Sequence, residues 1–122
     1  MMIRKPIFAM VSLASVLFAV TAPAAAAPAA AARPSFSCAK AMGGPERAIC
    51  GDPELARLDR IMADLFLETR SLLLNANQTA EADAAQRAWL VRRNRCGSDI
   101  QCLRRAYFSR VTALASELPS DD

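Results

Sequence analysis

Four cysteines, at positions 38, 50, 96 and 102, limit the folds that this 122-residue chain can adopt more than its other residues do. In a short exported domain an even number of cysteines indicates a disulfide framework, because a small core supplies little stability by itself. The pairs Cys38–Cys50 and Cys96–Cys102 are each close in sequence and each enclose a turn, so we expect these two bridges. The two crossed connectivities, which would tie the N-terminal segment to the later helices, stay open.

Residues 1–26 have the pattern of a secretory signal peptide. Arg4 and Lys5 precede an apolar run at positions 7–20, and several A-x-A cleavage options follow. The run is shorter than the roughly 20 residues of a membrane-spanning helix, although a retained N-terminal anchor is the alternative interpretation. The first cysteine lies well beyond the run, so we expect no lipid anchor. The sequence therefore predicts a periplasmic or secreted protein without a stable membrane anchor.

The rest of the chain divides by composition into three parts. Residues 27–35 are rich in Ala and Pro and predict a spacer, 36–118 predict a folded domain, and 119–122 form an acidic tail. Fifteen Lys and Arg less the two in the signal peptide leave thirteen, against twelve acidic residues, so the processed chain has a net charge near +1. Such a charge gives no reason to expect a nucleic acid as partner.

Hydrophobic periodicity predicts an all-α fold, a small disulfide-stapled bundle of three main helices plus one short N-terminal helical turn. No stretch alternates as a β-strand would. Asp52, Thr79 and Ser98 are the residues expected to cap the three main helices, because short polar side chains satisfy free backbone N–H groups. The turn is expected at 45–50 and the main helices at about 53–74, 80–95 and 99–118.

Polar side chains on the inner faces of these helices are expected to build the domain. Trp89 and Arg93 lie four residues apart on one helix face, and a tryptophan in a small bundle is typical of the core. Asp59 stands in an apolar stripe, where a carboxylate needs a partner. We therefore expect an Asp59–Arg93 ion pair, bidentate if geometry allows. The residues assigned to this architectural set are Asp59, Gln86, Trp89, Arg93, Tyr107 and Arg110.

Several other arginines are expected to be exposed and able to contact a partner. They are suited to phosphate on a glycan, to lipopolysaccharide or to a partner's carboxylates. The alternative is that they lie on solvated helix faces and pair with Glu54, Asp64 and Glu68, as Arg60 is expected to pair with Asp64 one turn away. The candidate partner-binding residues are Arg92, Arg95, Arg104 and Arg105.

The composition argues against catalysis. The chain has no histidine, so the usual general base is missing, and its cysteines are expected to be oxidised. Asp64 and Glu68 stand one turn apart like a glycosidase pair, but such spacing is common on helix surfaces. The cysteine spacing does not match a zinc site. We therefore expect a protein that is not an enzyme and that uses no metal and no cofactor.

Four segments together resemble the lysozyme inhibitor LprI N-terminal domain family, whose members are small exported helical proteins of bacteria with four cysteines. The segments are C-x11-C, L-x-x-L-D, Q-x-x-W-L-x-x-R-x-x-C and C-L-x-x-x-Y-x-x-R, and the resemblance covers about 36–114. It implies a binding protein that inhibits lysozyme-type muramidases, with a lysozyme as its protein partner. The surface anchoring of a lipoprotein does not carry over.

The resemblance suggests two ways of blocking a muramidase cleft, which depends on two carboxylates. Arg92 and Arg95, with the loop at 97–99, would contact those carboxylates; alternatively, the acidic second helix would contact a basic rim around the cleft. The competing class is a structural or interaction protein of the cell envelope that does not inhibit lysozyme and has a different partner.

Overall fold

The structure is a computed structural model that describes Ala22 and residues 32–120. The predicted signal peptide (Ala22 apart), most of the spacer and the last two residues of the tail lie outside these residues. The described part is all-helical, without a strand, and this confirms the predicted disulfide-stapled helical bundle. After a 3-10 turn at Cys38–Lys40 come α1 (Gly44–Gly51), α2 (Pro53–Ser71), α3 (Ala76–Asn94) and α4 (Ile100–Ala115).

The start of α2 follows the prediction. The side chain of Asp52 accepts a hydrogen bond of 2.9 Å from the backbone N–H of Leu55, and Pro53 takes the first helical position, where no N–H is needed. The helix ends at Ser71, three residues before the predicted Leu74. Leu74 is 91% exposed, so no packing continues the helix to that point.

Two predicted caps are wrong: the cap of α3 lies four residues before the predicted one, and the cap of α4 lies one residue after it. Asn75, not Thr79, caps α3, and its side chain accepts a 3.0 Å hydrogen bond from the backbone three residues on. Asp99, not Ser98, caps α4 in the same way at 2.9 Å. Asn and Asp are at least as good as Ser and Thr at this position, and each here precedes the helix in an extended conformation.

Two disulfides connect consecutive elements and confirm the preferred pairing. Cys38–Cys50 ties the 3-10 turn to α1, with Cα atoms 5.8 Å apart, and Cys96–Cys102 joins the end of α3 to the first turn of α4, at 5.5 Å. Between α3 and α4 the chain turns at Gly97, whose φ of +56° is unfavourable for other residues. Disulfides of this kind indicate a non-cytoplasmic environment. No helix within residues 32–120 is long and apolar enough to cross a membrane.

The core lies mainly between α2 and α4, and α1 covers one end of α2. Helices α2 and α3 touch at few points although they follow one another in the chain. Only Trp89 and Arg93 of α3 are buried, whereas Ala85 and Ala88 are exposed. The buried hydrophobic side chains are Ile49, Leu55, Ala56, Leu58, Met62, Trp89, Leu103, Tyr107 and Leu114.

Candidate functional site

A buried polar network joins the three long helices at the centre of the molecule. The hydroxyl of Tyr107 donates a 2.7 Å hydrogen bond to Oδ1 of Asp59 and accepts one of 3.1 Å from Nη1 of Arg93. The direct distance between Arg93 Nη1 and Asp59 Oδ1 is 3.9 Å. The expected Asp59–Arg93 pair is therefore present, but the bidentate arrangement is wrong because the tyrosine hydroxyl connects the two charges.

Both buried charges have further partners. Oδ2 of Asp59 accepts hydrogen bonds of 2.6 Å from the backbone N–H and the hydroxyl of Ser35. The Nε and Nη2 groups of Arg93 both donate to the side-chain oxygen of Asn94, at 3.0 and 2.7 Å. Asp59 is 1% and Arg93 4% exposed, so these bonds offset a desolvation penalty that would otherwise be large.

The aromatic side chains complete this network. The Trp89 ring lies 5.2 Å from the Tyr107 ring in an edge-to-face arrangement, and the guanidinium carbon of Arg93 lies 5.8 Å from the Trp89 ring centroid. The indole N–H donates to the carbonyl of Ala106 at 3.3 Å. Burial, followed by the charge of Asp59, raises the pKa of Tyr107, with Arg93 opposing. The phenol therefore stays protonated at neutral pH.

Gln86 links Arg110 to α2. It accepts two hydrogen bonds from the Nε and Nη2 groups of Arg110, at 3.1 and 2.9 Å. Its own amide nitrogen lies 3.1 Å from the sulfur of Met62, a weak acceptor. Arg110, which was assigned to the architectural set, is thus held at the edge of the core.

A basic groove of about 440 Å³, which we call the arginine groove, runs between α3 and α4. Its lining includes four arginines, Arg92, Arg93, Arg105 and Arg110. Trp89 contributes to its wall, and the Cys96–Cys102 disulfide borders it. No acidic side chain lines it among residues 32–120. Desolvation lowers the pKa of Arg110, with attraction to Glu117 opposing and repulsion from Arg92 adding to the decrease.

The four candidate partner-binding arginines fall into two groups. Arg92, Arg95 and Arg105 are exposed, and none of them forms an ion pair with a residue that the structure describes. Arg92 and Arg105 line the arginine groove, whereas Arg95 lies outside its lining. Arg104 is half-buried between α4 and the start of α2, where it pairs with Asp52 at 3.3 Å and Glu54 at 2.9 Å. Arg104 is therefore not a free cation.

Other ion pairs differ from the expectation. Arg60 does not pair with Asp64; instead its Nη2 donates to the carbonyl of Pro34 at 2.9 Å. The one bidentate pair among the described residues joins Arg70 of α2 to Asp83 of α3, at 2.7 and 3.0 Å. The hydrogen bond from Arg70 holds the pKa of Asp83 below its usual value. Because thirteen residues and a turn separate the two, helical spacing gave no indication of this pair.

A second groove, the apolar groove, opens where α2 and α3 separate. Its volume is about 460 Å³. The polar network lies at its base, since Asp59 and Arg93 both contribute to its lining. Sequence periodicity did not indicate it, because the groove depends on the distance between two helices and not on either helix alone. Its apolar wall consists of Phe36, Met62, Ala63, Phe66, Leu67 and Leu90.

Within the described residues no cluster of three or more acidic or cysteine side chains is arranged to hold a metal ion. Comparison with known proteins gave no match to a family model, to a curated protein or to a solved structure. The arginine groove and the apolar groove are candidate binding surfaces of the described residues.

Proposed function

We propose that this chain is a periplasmic or secreted binding protein, not an enzyme, that inhibits a lysozyme-type muramidase. The proposal rests on the resemblance of its four motifs and on one structural observation. Arg92, Arg95 and Arg105 stand near the corner that the Cys96–Cys102 disulfide joins, and none is paired with a described carboxylate. A constrained set of unpaired cations suits a cleft whose chemistry depends on two carboxylates.

Rigidity matters because an inhibitor that is already ordered loses little conformational entropy on binding. Arg92 and Arg95 lie at the C-terminal end of α3, and Arg105 lies in the second turn of α4. The disulfide fixes these helix ends relative to one another. Binding would therefore order the three exposed side chains but not the backbone that carries them. The second way of binding, through exposed acids such as Asp64 and Glu68 on α2, would not use this corner.

The test is a titration of purified protein with both disulfides formed against muramidases of the c, g and i types. We expect one type to lose turnover at near-equimolar protein. Arg95→Gln should weaken this inhibition about tenfold, the effect of ~1.4 kcal/mol. Arg57→Gln is the matched control, since it removes the same charge from an exposed site on α2. Unchanged turnover for all three types would contradict the proposal, and equal effects of the two variants would contradict the role of the corner.

A second candidate function is a cell-envelope interaction protein, and the apolar groove favours it. Leu67, at one wall of this groove, is 62% exposed, and an arginine-mediated inhibitor has no use for such a surface. The protein would then be captured with an envelope component while muramidase turnover stays unchanged. Leu67→Glu should prevent capture and Arg95→Gln should not. The opposite pattern would exclude the apolar groove as the binding surface.

A further inference from the structure

We propose that the arginine groove binds a phosphate monoester, with the guanidinium groups of Arg92, Arg105 and Arg110 around the phosphoryl oxygens. This inference goes beyond muramidase inhibition and does not depend on it. The groove would serve as a small-molecule or headgroup site in addition to the protein-binding corner.

The charge of the groove is the first argument. Four arginines line one concavity that no described acidic residue enters, and of these Arg93 alone pairs with a described carboxylate. Arg92 is near enough to Arg110 to depress the pKa of that half-buried group, and Glu117, which attracts Arg110, does not line the groove. Like charges held together in a partly desolvated site raise the free energy of the empty protein. A bound dianion would remove this repulsion.

The orientation of Arg110 is the second argument. Gln86 engages only its Nε and Nη2 groups, and the Nη1 group has no hydrogen-bond partner among the described residues. The side chain is therefore already ordered and keeps unused donors. Arginine donors match the oxygens of phosphate well, and a phosphate monoester carries a charge of −1.5 to −2 near neutral pH. Three cations favour such a dianion over a carboxylate, which carries a single charge.

The size of the groove indicates an ester and not a bare ion. Its volume of about 440 Å³ lies in the range of small-molecule sites and leaves room beside a single phosphoryl group. Ala106, Ala113 and Trp89 provide an apolar stretch of wall, and Ser109 adds a hydroxyl. The organic part of the ester would contact these side chains while the phosphoryl group contacts the arginines.

The experiment is an NMR titration of isotope-labelled protein in a phosphate-free buffer, at constant ionic strength adjusted with chloride. The probes are inorganic phosphate, glucose 1-phosphate and acetate. We expect saturable shifts of resonances near positions 92, 105 and 110, with the sugar phosphate binding more tightly than inorganic phosphate. Acetate should give no saturable shift. No saturation with either phosphate probe, or equal saturation with acetate, would overturn the proposal.

Arg92 and Arg105 belong to both surfaces, whereas Arg95 lies outside the groove lining, so variants locate the site and distinguish phosphate binding from muramidase inhibition. Arg105→Gln, at an exposed position where the fold should be unaffected, should weaken glucose 1-phosphate binding about tenfold. Arg57→Gln, which makes the same charge change outside the groove, should leave it unchanged. Arg95→Gln should weaken muramidase inhibition and leave phosphate binding unchanged. Equal weakening by Arg57→Gln and Arg105→Gln would overturn the assignment, because the effect would then come from net charge.

The source of the ester is distinguished with vesicles. Phosphatidic acid presents a phosphate monoester at a membrane surface, and pure phosphatidylcholine does not. Co-sedimentation with phosphatidic acid vesicles that Arg105→Gln abolishes assigns the ligand to a lipid headgroup. Sugar phosphate binding without co-sedimentation assigns it to a soluble ester. If Arg57→Gln reduces co-sedimentation as much as Arg105→Gln does, vesicle binding is non-specific and the lipid assignment fails.

Discussion

Removal of one hydroxyl group, in Tyr107→Phe, should destabilise this protein more than most conservative substitutions would. The hydroxyl is fully buried and makes two hydrogen bonds, at 2.7 Å to Asp59 and at 3.1 Å from Arg93. Phenylalanine fills the same space and keeps the edge-to-face contact with Trp89. The substitution therefore removes the hydrogen bonds while it leaves no substantial cavity.

The magnitude follows from the partners that remain. A hydrogen bond to a charged group contributes about 1.5–3 kcal/mol. Asp59 keeps its two bonds from Ser35, and Arg93 keeps those to Asn94, so each loss should fall near the lower end of that range. The free energy of unfolding should decrease by about 3 kcal/mol in total. For a domain of this size that corresponds to a decrease in Tm of roughly 12–24 °C.

Urea unfolding followed by the fluorescence of the single tryptophan measures this change directly, with both disulfides intact. The midpoint should fall and the m-value should stay constant. Ser109→Ala is the control, since it removes an exposed hydroxyl from the same helix and should change stability by less than about 0.5 kcal/mol. A loss below about 1 kcal/mol for Tyr107→Phe would refute the reasoning, because Asp59 and Arg93 would then stabilise each other without the hydroxyl.

Three further outcomes can be measured. The pKa of Tyr107 is raised from 10.0 mainly by burial, so above that pH the unfolded chain loses a proton that the folded protein keeps. The stability of the folded protein should therefore fall as the pH rises above about 10, and less steeply in Tyr107→Phe; parallel slopes would contradict this. Gly97 has a φ of +56° and open space around it, so a side chain there meets backbone strain but no clash. Gly97→Ala should therefore lower the free energy of unfolding by about 1–2 kcal/mol, and Gly97→Asn should lower it by less. Equal losses in urea unfolding would argue against strain. The pKa of Asp83 measured by NMR should lie below 3.8 and return towards 3.8 in Arg70→Gln. The Arg70–Asp83 pair then stabilises the fold at pH values above the ordinary pKa of Asp83, and this stabilisation is lost as the pH falls through the lowered pKa. An unshifted pKa would mean that the pair does not persist in solution.

Features governed by local sequence were predictable here. The disulfide pairing followed from short separations, and α2 followed from Asp52, Pro53 and an apolar stripe with helical spacing. The capping residues were harder to predict, because several short polar residues adjoin each helix start and the backbone conformation decides which of them caps the helix. Asn75 and Asp99 lie in extended conformations just before the first helical turn, and the sequence alone does not show this.

Features that depend on how helices approach one another were only partly predictable. The apolar setting of Asp59 indicated that it needed a buried cation, and Arg93 is near it. Tyr107 was assigned to the same architectural set, but helical spacing did not indicate that its hydroxyl would bridge the two charges. Arg104 looked like a free cation because its acidic partners lie some fifty residues earlier in the chain. Both grooves arise from the distance between two helices, and the periodic pattern of one helix does not predict that distance.

The two hydrogen bonds from Ser35 to Asp59 bear on where the chain may be trimmed. By composition Ser35 belongs to the spacer, yet Pro34 beside it is buried and Ser35 supplies two of the three donors to a carboxylate inside the protein. A protease that cuts just before Phe36 would remove both donors and leave a buried oxygen without partners. A shortened protein for binding or crystallisation work should therefore begin at or before Arg33. A start beyond Ser35 would remove an exposed residue whose hydrogen bonds stabilise the core.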